Sequence, residues 1–299
     1  MSDSLSTFLD LLTRTDFLVG GFLGLTGLVV IYFVRTDEGP VLEWGLTLTV
    51  AAFLAVSLAV GSRLSLLASL FALAVGGWMA RPPGGSARAP FGWILIAAGA
   101  ITMVLRGGFA DIGWRAVLAP IVTILIGAAL AAWAKRLPQD VLGIMVAISA
   151  FGIWATVPET ETARALLGAS IPLAVATLPP IRARLGYSGA FALAGLLVWV
   201  VATGGEARSA SIVGGWACIG AIAVLPLYNP PVVSLVGRKR ALTVLIHALM
   251  VVVASRVIGL WESGGLALLA VIVLFVGGYW LLSLLPSVRA RKTAATEAS

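Results

Sequence analysis

The stretch that decides the fold is Phe151-Gly-Ile-Trp-Ala-Thr-Val-Pro-Glu-Thr-Glu-Thr-Ala-Arg164, continued by Ala165-Leu-Leu-Gly-Ala-Ser-Ile-Pro172. An apolar run ends in Trp154 and Pro158, two acids follow within three residues, and a second apolar run begins after Arg164. This is the pattern of one membrane-crossing helix, a short acidic turn and the next helix. Pro158 breaks the first helix, and a carboxylate at the start of the second complements its positive end. The rest of the chain repeats this plan with other residues.

Composition points the same way. Of 299 residues, 60% are apolar and only 11% charged, with a mean hydropathy of +1.05, whereas soluble globular chains carry about 25% charged residues. No polar block is large enough for a soluble domain. The expected organisation is an N-terminal tail or interfacial helix over 1–16, one transmembrane domain over 17–285 and a basic cytoplasmic tail over 286–299. Leu5, Phe8, Leu9 and Leu12 recur at helical spacing in the first part, as an interfacial helix requires. Three Asp against one Arg there argue against a cleaved signal, whose first region is positive. The single Cys218 excludes an internal disulfide.

Apolar runs bounded by charged or turn residues give eleven expected spans: 17–34, 42–60, 64–80, 91–105, 116–134, 141–157, 165–180, 187–203, 212–229, 241–259 and 263–285. Thirteen of the twenty basic residues fall on the side that carries the C-terminus, among them Arg182, Arg184 and the run Arg238-Lys239-Arg240. The positive-inside rule then puts the N-terminus outside and the C-terminus inside. Topology thereby accounts for the +7 charge and pI of 10.3, and no nucleic-acid partner is expected. The tryptophans fall near span ends, with Trp216 about a turn deeper, as an interfacial belt would place them. Outer turns recur about every 50 residues; a duplicated helical hairpin and the plain length of two spans with loops both give that period.

Polar groups inside hydrocarbon are costly and mark function, and this chain has few. There is one Asn229, one Gln139 and one His247, and no carboxylate near the middle of a span. Pro120, Pro172 and Pro226 interrupt spans five, seven and nine, where unwound backbone could line a cavity. Most acids stand at span starts, where capping and the helix dipole explain them. Glu159, Glu161 and Glu206 could instead form an acidic outward mouth. Arg106 and Arg256 lie about a turn from the outer surface; they either snorkel or converge with Arg115 on an anionic group such as a lipid phosphate. The candidate substrate-binding residues are therefore Arg106, Arg115, Arg256, Glu159, Glu161 and His247. His247 has no ligand-type neighbour at metal spacing and reads as an interhelical hydrogen-bonding residue, with a proton relay as the sharper alternative. Gly20-Gly-Phe-Leu-Gly24 and Gly24-Leu-Thr-Gly27 place small residues on one face of span one, which permits close helix approach.

No nucleotide-binding GxxxxGK[ST] loop, HExxH pair or Ser/His/acid set is found. The chain is expected to be neither an enzyme nor a metal or cofactor protein. The segment Trp154-Ala-Thr-Val-Pro-Glu-Thr-Glu161 resembles one in uncharacterised multi-pass membrane proteins of high-GC Gram-positive bacteria, and the preference for Arg over Lys fits such a source. The resemblance implies a plasma-membrane location and carries no activity. The expected function is a transport or flippase-type component for an amphipathic or lipid-linked substrate. The alternative is a non-catalytic scaffold or accessory subunit of a cell-envelope complex. Expected partners are the bilayer, anionic or polyprenyl lipids, and other membrane proteins or further copies of the chain.

Overall fold

The computed structural model describes residues 9–36, 39–40, 42–60, 64–81, 88–106, 113–158, 160–204, 209–227 and 240–258, with 266, 269–271 and 273 of the last expected span. A helical turn over 9–13 leads into ten helices: α1 Thr15–Phe33, α2 Trp44–Val60, α3 Leu64–Met79, α4 Arg88–Arg106, α5 Gly113–Arg136, α6 Gln139–Thr156, α7 Glu161–Val175, α8 Tyr187–Ala202, α9 Ser209–Leu227 and α10 Arg240–Val252. A π-helical turn, Val253–Ile258, prolongs α10. Between α1 and α2, Arg35–Thr36 (β1) pairs antiparallel with Gly39–Pro40 (β2). Each of the first ten expected spans coincides with one of these helices. The eleventh lies largely outside the described residues.

Among the described residues, four helices are long and apolar enough to cross a membrane: α1, α4, α5 and α6. Five of the others are shorter apolar helices. Pro120 and Pro172 lie inside continuous α5 and α7 without ending them.

The centre of the bundle is α8, buried at every residue from Gly189 to Ala202. A helix that is apolar on all sides must have neighbours all round; here α2, α3, α5 and α9 supply them. The perimeter is different. On α1 the exposed residues include Leu18, Phe22, Leu25 and Val29, whereas the buried ones are Asp16, Gly20, Gly24 and Ile31. Large apolar side chains thus face outward and the small ones face the neighbouring helix. In water this would be an unfavourable apolar patch; in hydrocarbon there is no gain in burying Leu, and close packing of small residues decides the contact.

That contact is with α7. A Cβ on Gly20 would overlap the Ala165 carbonyl oxygen, one on Gly24 would lie 2.6 Å from the Ala169 carbonyl oxygen, and one on Gly168 would overlap the Phe17 carbonyl oxygen. The two backbones therefore touch along two turns, and only glycine fits at these three positions. The Gly20–Gly24 spacing was legible in sequence; its partner, Ala165 with Gly168 and Ala169, was not.

The tryptophan belt needs correction. Trp78, Trp93 and Trp114 are exposed, but Trp44, Trp133, Trp154, Trp199 and Trp216 are buried. Trp133 donates Nε1–H to the Ile222 carbonyl at 2.5 Å, and Trp216 packs edge-on against Trp114 with centroids 5.7 Å apart. Proximity to a span end does not decide which way an indole points. Each such indole buries about 200 Å² of ring among the helices. Trp261 and Trp280 lie outside the described residues.

Gly20→Ala should lower stability by about 1–3 kcal/mol, the usual range for overpacking. Gly21→Ala, whose new Cβ would meet only the Gly168 carbonyl oxygen at 3.8 Å, should be neutral. Thermal unfolding of the two variants in one detergent measures the difference, and equal melting temperatures would contradict the close contact.

Candidate functional site

The turn between α6 and α7 is shaped by its own side chains. Thr160 takes an extended conformation before α7; its hydroxyl donates to the Val157 carbonyl at 2.7 Å. That hydroxyl is therefore spent on the preceding helix and makes no capping bond to α7. One turn later, Arg164 reaches back: its Nη1 donates to the Pro158 carbonyl at 2.9 Å, and its Nε donates to Asp16 Oδ2 at 2.5 Å. The other Asp16 oxygen accepts from the Phe17 backbone N–H at 3.0 Å. A single guanidinium thus ties the turn to the start of α1, directly above the glycine contact.

Both partners are largely out of solvent, with side chains 8% exposed for Asp16 and 12% for Arg164. A buried pair of this kind gains Coulomb energy against a desolvation cost of similar size. Its value is directional: it sets which faces of α1 and α7 meet. Removing one partner leaves the other charge unsatisfied.

The ion pair forms the floor of a cavity of about 320 Å³. Arg14, Thr15, Asp16, Glu161 and Arg164 give it a charged side, and Val19 of α1 with Ala55 and Leu58 of α2 give it an apolar wall. Arg14 is itself held by Asp10, with Nη2 2.8 Å from Oδ2. Glu161 is exposed in the first turn of α7. Two arginines and two carboxylates beside hydrocarbon surface can hold a polar headgroup while its chain lies along Val19 and Leu58. This cavity lies between α1, α2 and α7.

Of the expected site residues that the structure describes, only Glu161 lines this cavity. Glu159 and Glu206 lie outside the described residues, as does the side chain of Arg106, whose backbone ends α4. Arg115 is buried in the first turn of α5 with its guanidinium 6.0 Å from the Trp114 ring centroid. Arg256 is exposed in the π-helical turn. His247 is fully buried and joins three helices: its Nε2 lies 2.9 Å from the Met145 carbonyl oxygen of α6 and 3.1 Å from Ser149 Oγ. Ser149 in turn donates to the Cys218 carbonyl of α9 at 2.7 Å. These distances place the His247 proton on Nε2, donating to Met145.

Sequence reasoning gave Asp16 to helix capping and Arg164 to the flank of an acidic turn. Asp16 keeps that place in the first turn of α1, and the structure adds that it and two other acids also work between helices. Glu43, just before α2, accepts the Gly189 N–H of α8 at 2.9 Å, and Asp140 of α6 pairs with Arg240 of α10 at 2.6 Å. The available signal was a charge pair 148 positions apart, which no local pattern contains.

Among the described residues no group of three or more His, Cys, Asp or Glu could hold a metal ion. No protein-family model matches the chain, and no curated protein matches it.

Asp16→Ala should destabilise the protein by about 3 kcal/mol or more, because it leaves Arg164 buried and unpaired. Replacing both residues by Leu should recover most of the loss. Chemical or thermal unfolding in detergent tests this, and a double variant as unstable as Asp16→Ala would show that the ion pair contributes more than orientation.

Proposed function

We propose that this chain is a plasma-membrane protein of eleven spans, with its N-terminus outside and its C-terminus inside. Its work is that of a transport or flippase-type component for an amphipathic or lipid-linked substrate. The observation that carries the transport reading is the cavity between α1, α2 and α7, charged on one side and apolar on the other. An amphiphile needs both surfaces at once, and a small polar solute needs only the first.

The membrane reading draws on the apolar perimeter, the four long apolar helices and the way helix ends group. The starts of α1 and α7 meet at Asp16–Arg164. The starts of α2, α6 and α8 meet on the opposite side: Trp44 N–H donates to the Arg184 carbonyl at 2.9 Å, and Leu185 N–H to Gln139 Oε1 at 2.8 Å. Alternating spans would bring these ends together, and the exposed Arg182 and Arg184 would then lie inside, as the charge bias requires. The sequence has no nucleotide-binding loop, so movement would be passive or driven by a partner.

A scaffold or accessory subunit is the second reading. What favours it is the core: α8 is sealed on every side, and α1 and α7 are in backbone contact, which suits a rigid interaction body better than a moving carrier.

Two measurements separate these readings. With Cys218 replaced by Ala, Glu161→Cys should react with an impermeant maleimide on intact cells, and Arg184→Cys only after permeabilisation; the reverse pattern would overturn the orientation. In proteoliposomes the wild-type chain should move a fluorescent polyprenyl phosphate or phospholipid between leaflets. Glu161→Gln should slow this about tenfold, the effect of losing one charged hydrogen bond. A well-folded wild-type protein that moves neither probe leaves the scaffold reading.

A further inference from the structure

A second concave surface lies far along the chain from the first. It is a groove of about 460 Å³ between α6 and α10. Val141 and Ile144 line one wall; Val244, Leu245 and Ala248 line the other. The α10 residues recur at three- and four-residue spacing, so they form one face of that helix. Ala241 and Ala248 bracket this face, and their short side chains leave the space that a Leu would fill. The groove runs from Arg240 to Ala248, about 12 Å at 1.5 Å per residue.

Arg240 stands at one end. Its Nη1 donates to Asp140 Oδ2 at 2.6 Å, while the side chain stays 59% exposed. A guanidinium carries five N–H donors, so Asp140 fixes its position and leaves further donors facing outward. Arg238 and Lys239 precede it in sequence. The described residues of the last expected span do not occupy this place: Ala270 and Val271 pack on Ala210 and Val213, at the start of α9. That end of α9 lies at the opposite end of the bundle from Arg240.

We propose that this groove is a binding site for an anionic phospholipid, its phosphate on Arg240 and one acyl chain along Val141, Ile144 and Ala248. The site rests on the membrane reading above, which places Arg240 at the inner headgroup level. Basic positions between spanning helices on that side are where anionic headgroups are held. A groove of this length suits an acyl chain better than a helix, which needs about 30 Å to cross the hydrocarbon. The charge at its end suits phosphate better than a second copy of this basic chain.

The test uses the full-length protein in nanodiscs containing equal phosphatidylglycerol and phosphatidylcholine, with retained lipid counted by native mass spectrometry. The wild type should retain phosphatidylglycerol in preference. Arg240→Gln should reduce that preference about fivefold, the worth of one cation near an anionic lipid surface. Ala248→Phe keeps the charge, fills the groove and should reduce it by a similar factor. Ala241→Phe, at an exposed position, serves if Ala248→Phe does not fold. A wild type without preference overturns the proposal. So does a preference that survives the filling variants, because the charge alone would then explain it, and so does a stoichiometric protein partner released by them. Maleimide labelling of Glu161→Cys and Arg184→Cys reports separately on the membrane reading, so the two can fail independently.

Discussion

The approach of α1 to α7 is the constraint on which this structure depends. Three glycines, Gly20, Gly24 and Gly168, let two backbones touch, and the Asp16–Arg164 pair closes the same seam at its end. Neither device would be sufficient alone. Close packing without the ion pair leaves rotation about the helix axis weakly specified, because hydrocarbon offers no hydrophobic gain to favour one face. The ion pair without the glycines would leave the two backbones unable to touch, because a Cβ at these positions overlaps the facing carbonyls. Together they fix α1 at the edge of the bundle, where α7 and α2 are its principal neighbours.

The proposed function rests on where the seam ends. At that end α1, α2 and α7 line the cavity, and the residues that lock the seam also supply its charge. Arg164 serves the Pro158 carbonyl and Asp16 at once, so the turn that opens α7 cannot shift without disturbing α1. Glu161 stands one turn before Arg164 and is exposed to whatever occupies the space. The remainder of the bundle offers less: α8 is enclosed, and His247, the buried residue with the most obvious chemical capacity, is held by Met145 beside Ser149.

The positions of the helices were legible in the sequence because a long apolar run bounded by charges has few other readings. The first ten expected spans coincide with helices to within a few residues. Direction of side chains was not legible. Most tryptophans sit near helix ends as expected, yet Trp44, Trp133 and Trp199 turn inward, a direction that their own stretch of sequence does not reveal. The acids show the same limit. Asp16, Glu43 and Asp140 stand at helix starts, where the dipole favours them, but their partners come from α7, α8 and α10. Glu161 stood out through its place in a doubled acidic turn, and it lines the cavity. Arg164 lay in the same stretch, but its role depended on a residue 148 positions away.

The central claim is that the charged end of the α1–α7 seam holds the polar part of an amphiphile. A cryo-electron microscopy map of the protein in nanodiscs made from its native lipid extract tests this most directly. The account predicts headgroup density between Arg14 and Glu161, with the Asp16–Arg164 pair closed beneath it and chain density along Val19 and Leu58. A map with an empty cavity, or one in which the pair is broken and α1 stands away from α7, would contradict it.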